Sequence, residues 1–280
     1  MTAASRAWAW LRHRALPIYA ALAVAYMLIP IAVIAVFSFG ATPNDKLTFT
    51  LDDGFTLDYW RTMFDLPELN EALFTSLKLA AFSTVISTAI GTAMAIALVR
   101  HRFLGRRAAN LLIVIPMATP EVVIGASLLS MFIYYTFALG FATLLIAHVM
   151  FSISFVVVVV RSRLIGFDRN LEEAAADLGA SPLATFRLVT LPLLAPGILA
   201  AAMLAFALSI DDFVISNFNS GTTVTFPLYV YGVSLRGVPV QVNALATLLF
   251  LVAVIAVALV IVQQRRAERM AAVRPEPVVA

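Results

Sequence analysis

Six long apolar stretches leave this chain few folds to choose from. A helix needs about 20 apolar residues to cross the hydrocarbon core of a bilayer. The candidates are Leu16 to Phe39, about Ala72 to Val99, Ala108 to about Tyr134, Phe137 to Val160, Leu193 to about Ile215, and Val242 to Val262. Inside lipid every backbone polar group must be satisfied within the protein, and a helix does so within its own segment. The expected fold class is therefore an all-α membrane protein with six transmembrane helices. The composition agrees: 62% of residues are hydrophobic and 12% charged, against about 25% charged in soluble domains. The first run has 24 residues, which is long for a signal peptide and reads as an uncleaved anchor.

Arginine sets the orientation, because basic residues collect on the cytoplasmic side. Arg6, Arg12 and Arg14 precede the first span. Arg100, Arg102, Arg106 and Arg107 follow the second, and Arg161, Arg163, Arg169 and Arg187 follow the fourth. Arg265, Arg266, Arg269 and Arg274 follow the sixth, giving 15 on one side. The other side has Lys46, Arg61 and Arg236, with Lys78 inside a span. Both termini are therefore expected on the cytoplasmic side of the membrane. The division that follows is a cytoplasmic tail at 1–15, a first transmembrane helix at 16–39, an extracytoplasmic loop at 40–71, a five-helix core at 72–264 and a cytoplasmic tail at 265–280. The outer loop is acidic, and its segment Phe55 to Phe64 can form a short amphipathic helix with Tyr59 and Trp60 at the interface. The arginines flank spans without forming a basic stripe, so nucleic acid is not an expected partner. Three scattered histidines and no cysteine make no metal site.

The loop between the fourth and fifth spans carries the strongest local pattern, LEEAAADLGASPLATFRLVTLP from Leu171 to Pro192. Asp168 can cap a helix there, with Glu172 and Glu173 in its first turn, where acids suit the dipole. Leu171, Ala174, Ala175 and Leu178 recur at helical spacing. Gly179 sits where a helix stops, and Ser181-Pro182 prevents simple continuation. A short helix at about 168–181 needs a surface to lie on.

Glu173-Ala174-Ala175, then Gly179, then Val189-Thr190-Leu191-Pro192 resembles the EAA loop of ABC importer permeases, with valine at 189 where isoleucine is commoner. The resemblance spans roughly Glu71 to Gln264 and implies the type I ABC importer permease fold. It further implies that Glu173, Ala174, Ala175, Gly179, Leu191 and Pro192 build a coupling helix that docks on a cytoplasmic ATPase. The partners implied are a second, non-identical permease subunit, two copies of that ATPase, an extracytoplasmic solute-binding protein and membrane lipid. The cofactors implied are none in this chain, with ATP and magnesium used by the ATPase. The lysines agree: Lys46 and Lys78 follow Asp45 and Leu77, and a phosphate-binding loop needs Gly-Lys-Ser/Thr. No catalytic constellation is visible, so the chain reads as a transporter subunit and not an enzyme.

Ionisable groups within spans suggest a solute path. Asp211 and Asp212 end the fifth span, where the helix dipole disfavours acids. They can form an acidic site for a cationic solute, pair with Lys78, or lie exposed at the headgroups. Glu121 follows Pro116-x-x-x-Pro120, a pair that should kink or break the third span. Its depth is close to that of His148, so a Glu121–His148 contact is expected as one arrangement, and a second cation site as another. Tyr134, Tyr135, Tyr229 and Tyr231 suit the interface or a cation–π contact. The phrase Ala207 to Ile215, ALSIDDFVI, resembles the second permease subunit of spermidine or putrescine importers; permeases for opines, phosphonates and ferric iron are similar. The reading of a different class is a secondary transporter driven by an ion gradient. Against it stand the loop at Leu171 to Pro192 and the lack of an evident inverted repeat.

Overall fold

The computed structural model describes residues 3–42, 46–47 and 54–273, with side chains described for 14–42, 46–47, 54–260 and 262. Asp45, Asp52, Asp53 and Arg274 lie outside the described residues. Every regular element among the described residues is a helix, with isolated β-bridges and no strand. Five helices are long and apolar enough to cross a membrane, and a sharply bent pair supplies a sixth span if counted as one.

The chain divides into two compact units. The first holds 1–66 and 233–280. Its helices are α1 (Ala3–Phe37) and α2 (Asp58–Arg61) at the start and, at the end, a long helix, Val240–Val273, that packs with α1. The amphipathic helix expected over Phe55 to Phe64 shrinks to the single turn of α2. Backbone pairing explains the difference. Thr56 N–H donates to the Phe39 carbonyl at 2.8 Å and Ala41 N–H to the Gly54 carbonyl at 3.0 Å, which holds Phe55 extended. Trp60 stacks on Phe39 at 5.1 Å and donates its indole N–H to Ser38 Oγ.

The second unit, 67–232, contains α3 (Pro67–Arg100), α4 (Arg106–Ala118), α5 (Glu121–Tyr134), α6 (Phe141–Ile165), α7 (Asn170–Asp177), α8 (Pro182–Thr185), α9 (Leu191–Ile210), α10 (Val214–Asn219) and α11 (Phe226–Ser234, which runs just past it). The helix of the first unit at 240–273 is α12. A π turn, Phe186–Thr190, joins α8 to α9, so one helical rod runs from Pro182 to Ile210. α3, α6 and α9 pack on each other around Ala95, Leu98, Val156, Val157, Val160, Ala201 and Ala205. Small residues bring these helices close: a Cβ on Gly91 would sit 2.6 Å from a Val156 methyl.

The proline pair acts more drastically than a kink. α4 and α5 meet at 111°. A residue before proline is pushed from helical to extended backbone, and Thr119 has φ −87° and ψ 134°. The fifth span also ends early, at Ile210 rather than about Ile215. The cause is Asp212, whose carboxylate accepts the N–H groups of Ile215 and Ser216 and starts α10 afresh.

Candidate functional site

Two polar centres lie along the Pro182–Ile210 rod. The first is the loop that carries α7. Asp168 Oδ1 accepts the Asn170 N–H at 3.0 Å, so the aspartate caps the helix start. The helix ends in a Schellman motif. Gly179 N–H donates to the Ala176 carbonyl at 2.9 Å and Ala180 N–H to the Ala175 carbonyl at 3.0 Å. Gly179 has φ +83°, the left-handed conformation that this closure requires. Ser181 then caps α8 by accepting the Ala184 N–H, with Pro182 at its first position.

No residue of α7 is buried. Leu171 and Ala174 are exposed, and Leu178 is 90% exposed. Of the apolar stripe expected from spacing, Leu171, Ala174 and Leu178 therefore stand uncovered by the described residues, while Ala175 is half-buried. Glu173 is also exposed, and its carboxylate has no partner among the described residues.

Glu172, one residue earlier, faces inward. Its Oε1 accepts from Arg100 Nη2 at 3.0 Å and from the Thr190 hydroxyl at 2.8 Å. Arg100 is the last residue of α3, and its guanidinium lies 5.4 Å over the Phe167 ring. Thr190 is the last residue of the π turn and is buried. Sequence reasoning missed this triad. Its trace was a hydroxyl at 190, set among apolar neighbours just before Leu191-Pro192. Leu191 and Pro192 open α9 and are exposed; a proline N–H is not needed at a helix start.

The second centre lies at the other end of the rod. Ser83 of α3 donates to Ser209 of α9 at 2.9 Å. His148 of α6 is 2% exposed; its Nδ1 is 2.8 Å from Ser209 Oγ and its Nε2 is 3.0 Å from Ser216 Oγ. Ser216 donates both N–H and O–H to Asp212 Oδ2, at 2.8 and 2.9 Å. The same carboxylate oxygen is 3.4 Å from His148 Nε2. One donor order satisfies the whole chain: Ser83 to Ser209, Ser209 to Nδ1, Nε2–H to Ser216, and Ser216 to Asp212.

This arrangement corrects two expectations. His148 does not meet Glu121. Glu121 is exposed at the first position of α5, because the 111° turn swings that helix away from the line of α4. Lys78 is exposed and forms no ion pair with either aspartate. The aspartates themselves divide. Asp212 is 6% exposed at its side chain and fully engaged, whereas Asp211 is exposed and its carboxylate has no partner among the described residues. Phe213 packs on Tyr231 at 4.8 Å. Near the start of α3, a cavity of about 460 Å³ is lined by Glu68, Glu71, Thr75 and Tyr229. Burial, then the charge of Glu68, pushes the Tyr229 phenol above its ordinary pKa.

Known proteins agree with this architecture. Residues 87–269 match the family model described as "Binding-protein-dependent transport system inner membrane component". The spermidine/putrescine transport system permease protein PotC of Haemophilus influenzae is 37% identical over 241 residues, covering 86% of this chain and 91% of that relative. The putrescine transport system permease protein PotI of Escherichia coli K12 is 36% identical over 232 residues, covering 80% and 81%. Among solved structures, a bacterial ABC transporter involved in the import of the acidic polysaccharide alginate matches at TM-score 0.64 and 19% identity, covering 94% of this chain and 98% of that one. At that identity the likeness establishes the fold, and the fold is that of a multi-pass ABC importer permease. The chain belongs to the binding-protein-dependent transport system inner membrane component family, as a permease subunit of an ABC importer and not an enzyme.

Proposed function

We propose that this chain forms half of the translocation pathway of an importer for polyamines such as putrescine and spermidine. The observation that carries the reading is the free carboxylate of Asp211 beside the engaged, buried Asp212. A cationic solute needs an anionic contact that is accessible and not already neutralised, and Asp211 meets both conditions. The names of the relatives, spermidine/putrescine and putrescine permeases, support the same solute class. Glu121, exposed at the start of α5, is a second candidate contact along the path. Asp212 then serves the site by holding α10 and the 211–213 break in shape.

Transport on this reading is driven from outside the chain. The uncovered face of α7, with Glu173 and the Ala174-Ala175 pair, docks on a cytoplasmic ATPase, of which two copies use ATP and magnesium. Gly179 sets where the docking helix stops, and Leu191-Pro192 sets where the rod begins its main span. A second, non-identical permease supplies the other half of the pathway, and an extracytoplasmic binding protein delivers solute. The arginine bias supports cytoplasmic termini in a bacterial inner membrane. The test is uptake of labelled putrescine and spermidine into vesicles holding the assembled importer, with and without ATP. ATP-dependent uptake that falls in Asp211→Asn supports the solute site. ATP-dependent uptake untouched by that change removes Asp211 from the path. No polyamine uptake, with ATPase activity still stimulated by another solute and its binding protein, discards the polyamine and keeps the permease.

A further inference from the structure

Glu172 occupies a position that docking alone does not explain. It stands in the first turn of α7, beside Glu173, yet points away from the docking face. Its single oxygen Oε1 takes hydrogen bonds from Arg100, where α3 ends, and from Thr190, where the π turn hands over to α9. The pair is sheltered, with side-chain exposures of 12% for Arg100 and 23% for Glu172. It forms part of the wall of a cavity of about 440 Å³ between the end of α3 and the α7–α8 segment. Charge-assisted hydrogen bonds in such shelter are stronger and more directional than exposed ones. Three elements that a docking event would otherwise displace separately thus share one acceptor atom.

We propose that Glu172 is a positioning residue that locks α7 to the ends of α3 and α9, so that the docking helix and these two membrane helices move as one body. This rests on the reading of α7 as the ATPase-docking helix. Without the lock, α7 would follow the ATPase while α3 and the rod lagged behind, and hydrolysis would proceed without the matching movement of the pathway. The other end of the rod carries Ser209, bonded to His148. Residues 190 and 209 are separated by a rise of roughly 28 Å along a helix, so the rod spans the distance from the lock to the polar cluster.

The chain has no cysteine, so introduced cysteines report cleanly. The importer is assembled with its permease partner, ATPase and binding protein, and carries spin labels on His101→Cys, just past α3, and Leu178→Cys, just past α7. The label separation is read by pulsed electron resonance with and without ATP and vanadate. The expected distribution is unchanged by nucleotide with Glu172 present and at least doubles in width in Glu172→Gln. In unlabelled importer, labelled putrescine taken up per ATP hydrolysed falls about tenfold in that variant, the loss of one charge-assisted bond. Thr190→Val removes only the hydroxyl and keeps the shape, so it is expected to loosen the same pair, whereas Thr190→Ser retains the native width. This comparison also decides the matter if Glu172→Gln fails to assemble. Native widths in both Glu172→Gln and Thr190→Val overturn the lock. A cross-linker on Leu178→Cys that never captures the ATPase overturns the docking reading instead, whatever the label distances show.

Discussion

His148 and Asp212 stand 3.4 Å apart, Nε2 to Oδ2, with both side chains sealed from solvent. Replacing the imidazole by Phe would take the acceptor from the Ser209 hydroxyl and the ring donor from Ser216 in a buried site, a defect that costs roughly 1–3 kcal/mol for each group left unsatisfied. His148→Phe should therefore lower the melting temperature of the purified protein sharply and abolish uptake. A melt that matches the parent would remove His148 from the structural core of this site.

Asp211 should behave differently from its neighbour. Its carboxylate is exposed and unengaged, so Asp211→Asn should leave stability within about 0.5 kcal/mol of the parent. Uptake of a dication should fall, through a raised KM for the delivered solute. Asp212→Asn should lower stability and transport together, since it weakens the start of α10. Comparing melts with uptake in the two variants separates contact from support.

Gly179 tests backbone strain without steric conflict. A Cβ there would meet nothing within 4 Å, but φ is +83°. Gly179→Ala should cost about 1–2 kcal/mol locally, fray the end of α7 and weaken recovery of the ATPase on purification. Equal recovery of the ATPase would show that the ending of this helix does not govern docking.

Gly91 tests the reverse case, crowding without strain. Gly91→Ala would press on Val156 and should destabilise the packing of α3 on α6 by about 1–3 kcal/mol. Gly232→Ala, with open space around it, is the control and should melt with the parent.

Sidedness can be read directly by thiol labelling. Leu178→Cys should react with an impermeant reagent only when the cytoplasmic face is open to it, as in inverted vesicles. Leu57→Cys, on an exposed residue of the acidic loop, should react only in intact cells. The opposite pattern would reverse the assigned orientation.

The local chemistry was legible and the azimuths were not. Asp168 as cap, Gly179 as stop and the Pro116–Pro120 break all follow from a few neighbouring residues, and each appears where its backbone chemistry places it. Pairings across helices did not follow. Counting residues along a helix gives depth, and Glu121 and His148 share a depth. It does not give the direction in which a side chain points, and the 111° turn sends Glu121 elsewhere. The Glu172 triad joins residues 72 and 18 positions apart, a separation that no local spacing rule covers. The early end of α9 was missed because an aspartate that looked like an acid at a helix C-terminus is the cap of the next helix.

The π turn at Phe186–Thr190 has a geometric consequence. Such a turn absorbs one surplus residue into an otherwise regular helix. Were those five residues ordinary α-helix, everything before them would be turned by about 100° around the rod relative to α9. Glu172 would then lose Thr190 and Arg100 together, and the apolar face of α7 would look in another direction. The surplus residue thus works as a vernier: it sets the compass bearing at which the loop leaves the membrane helix.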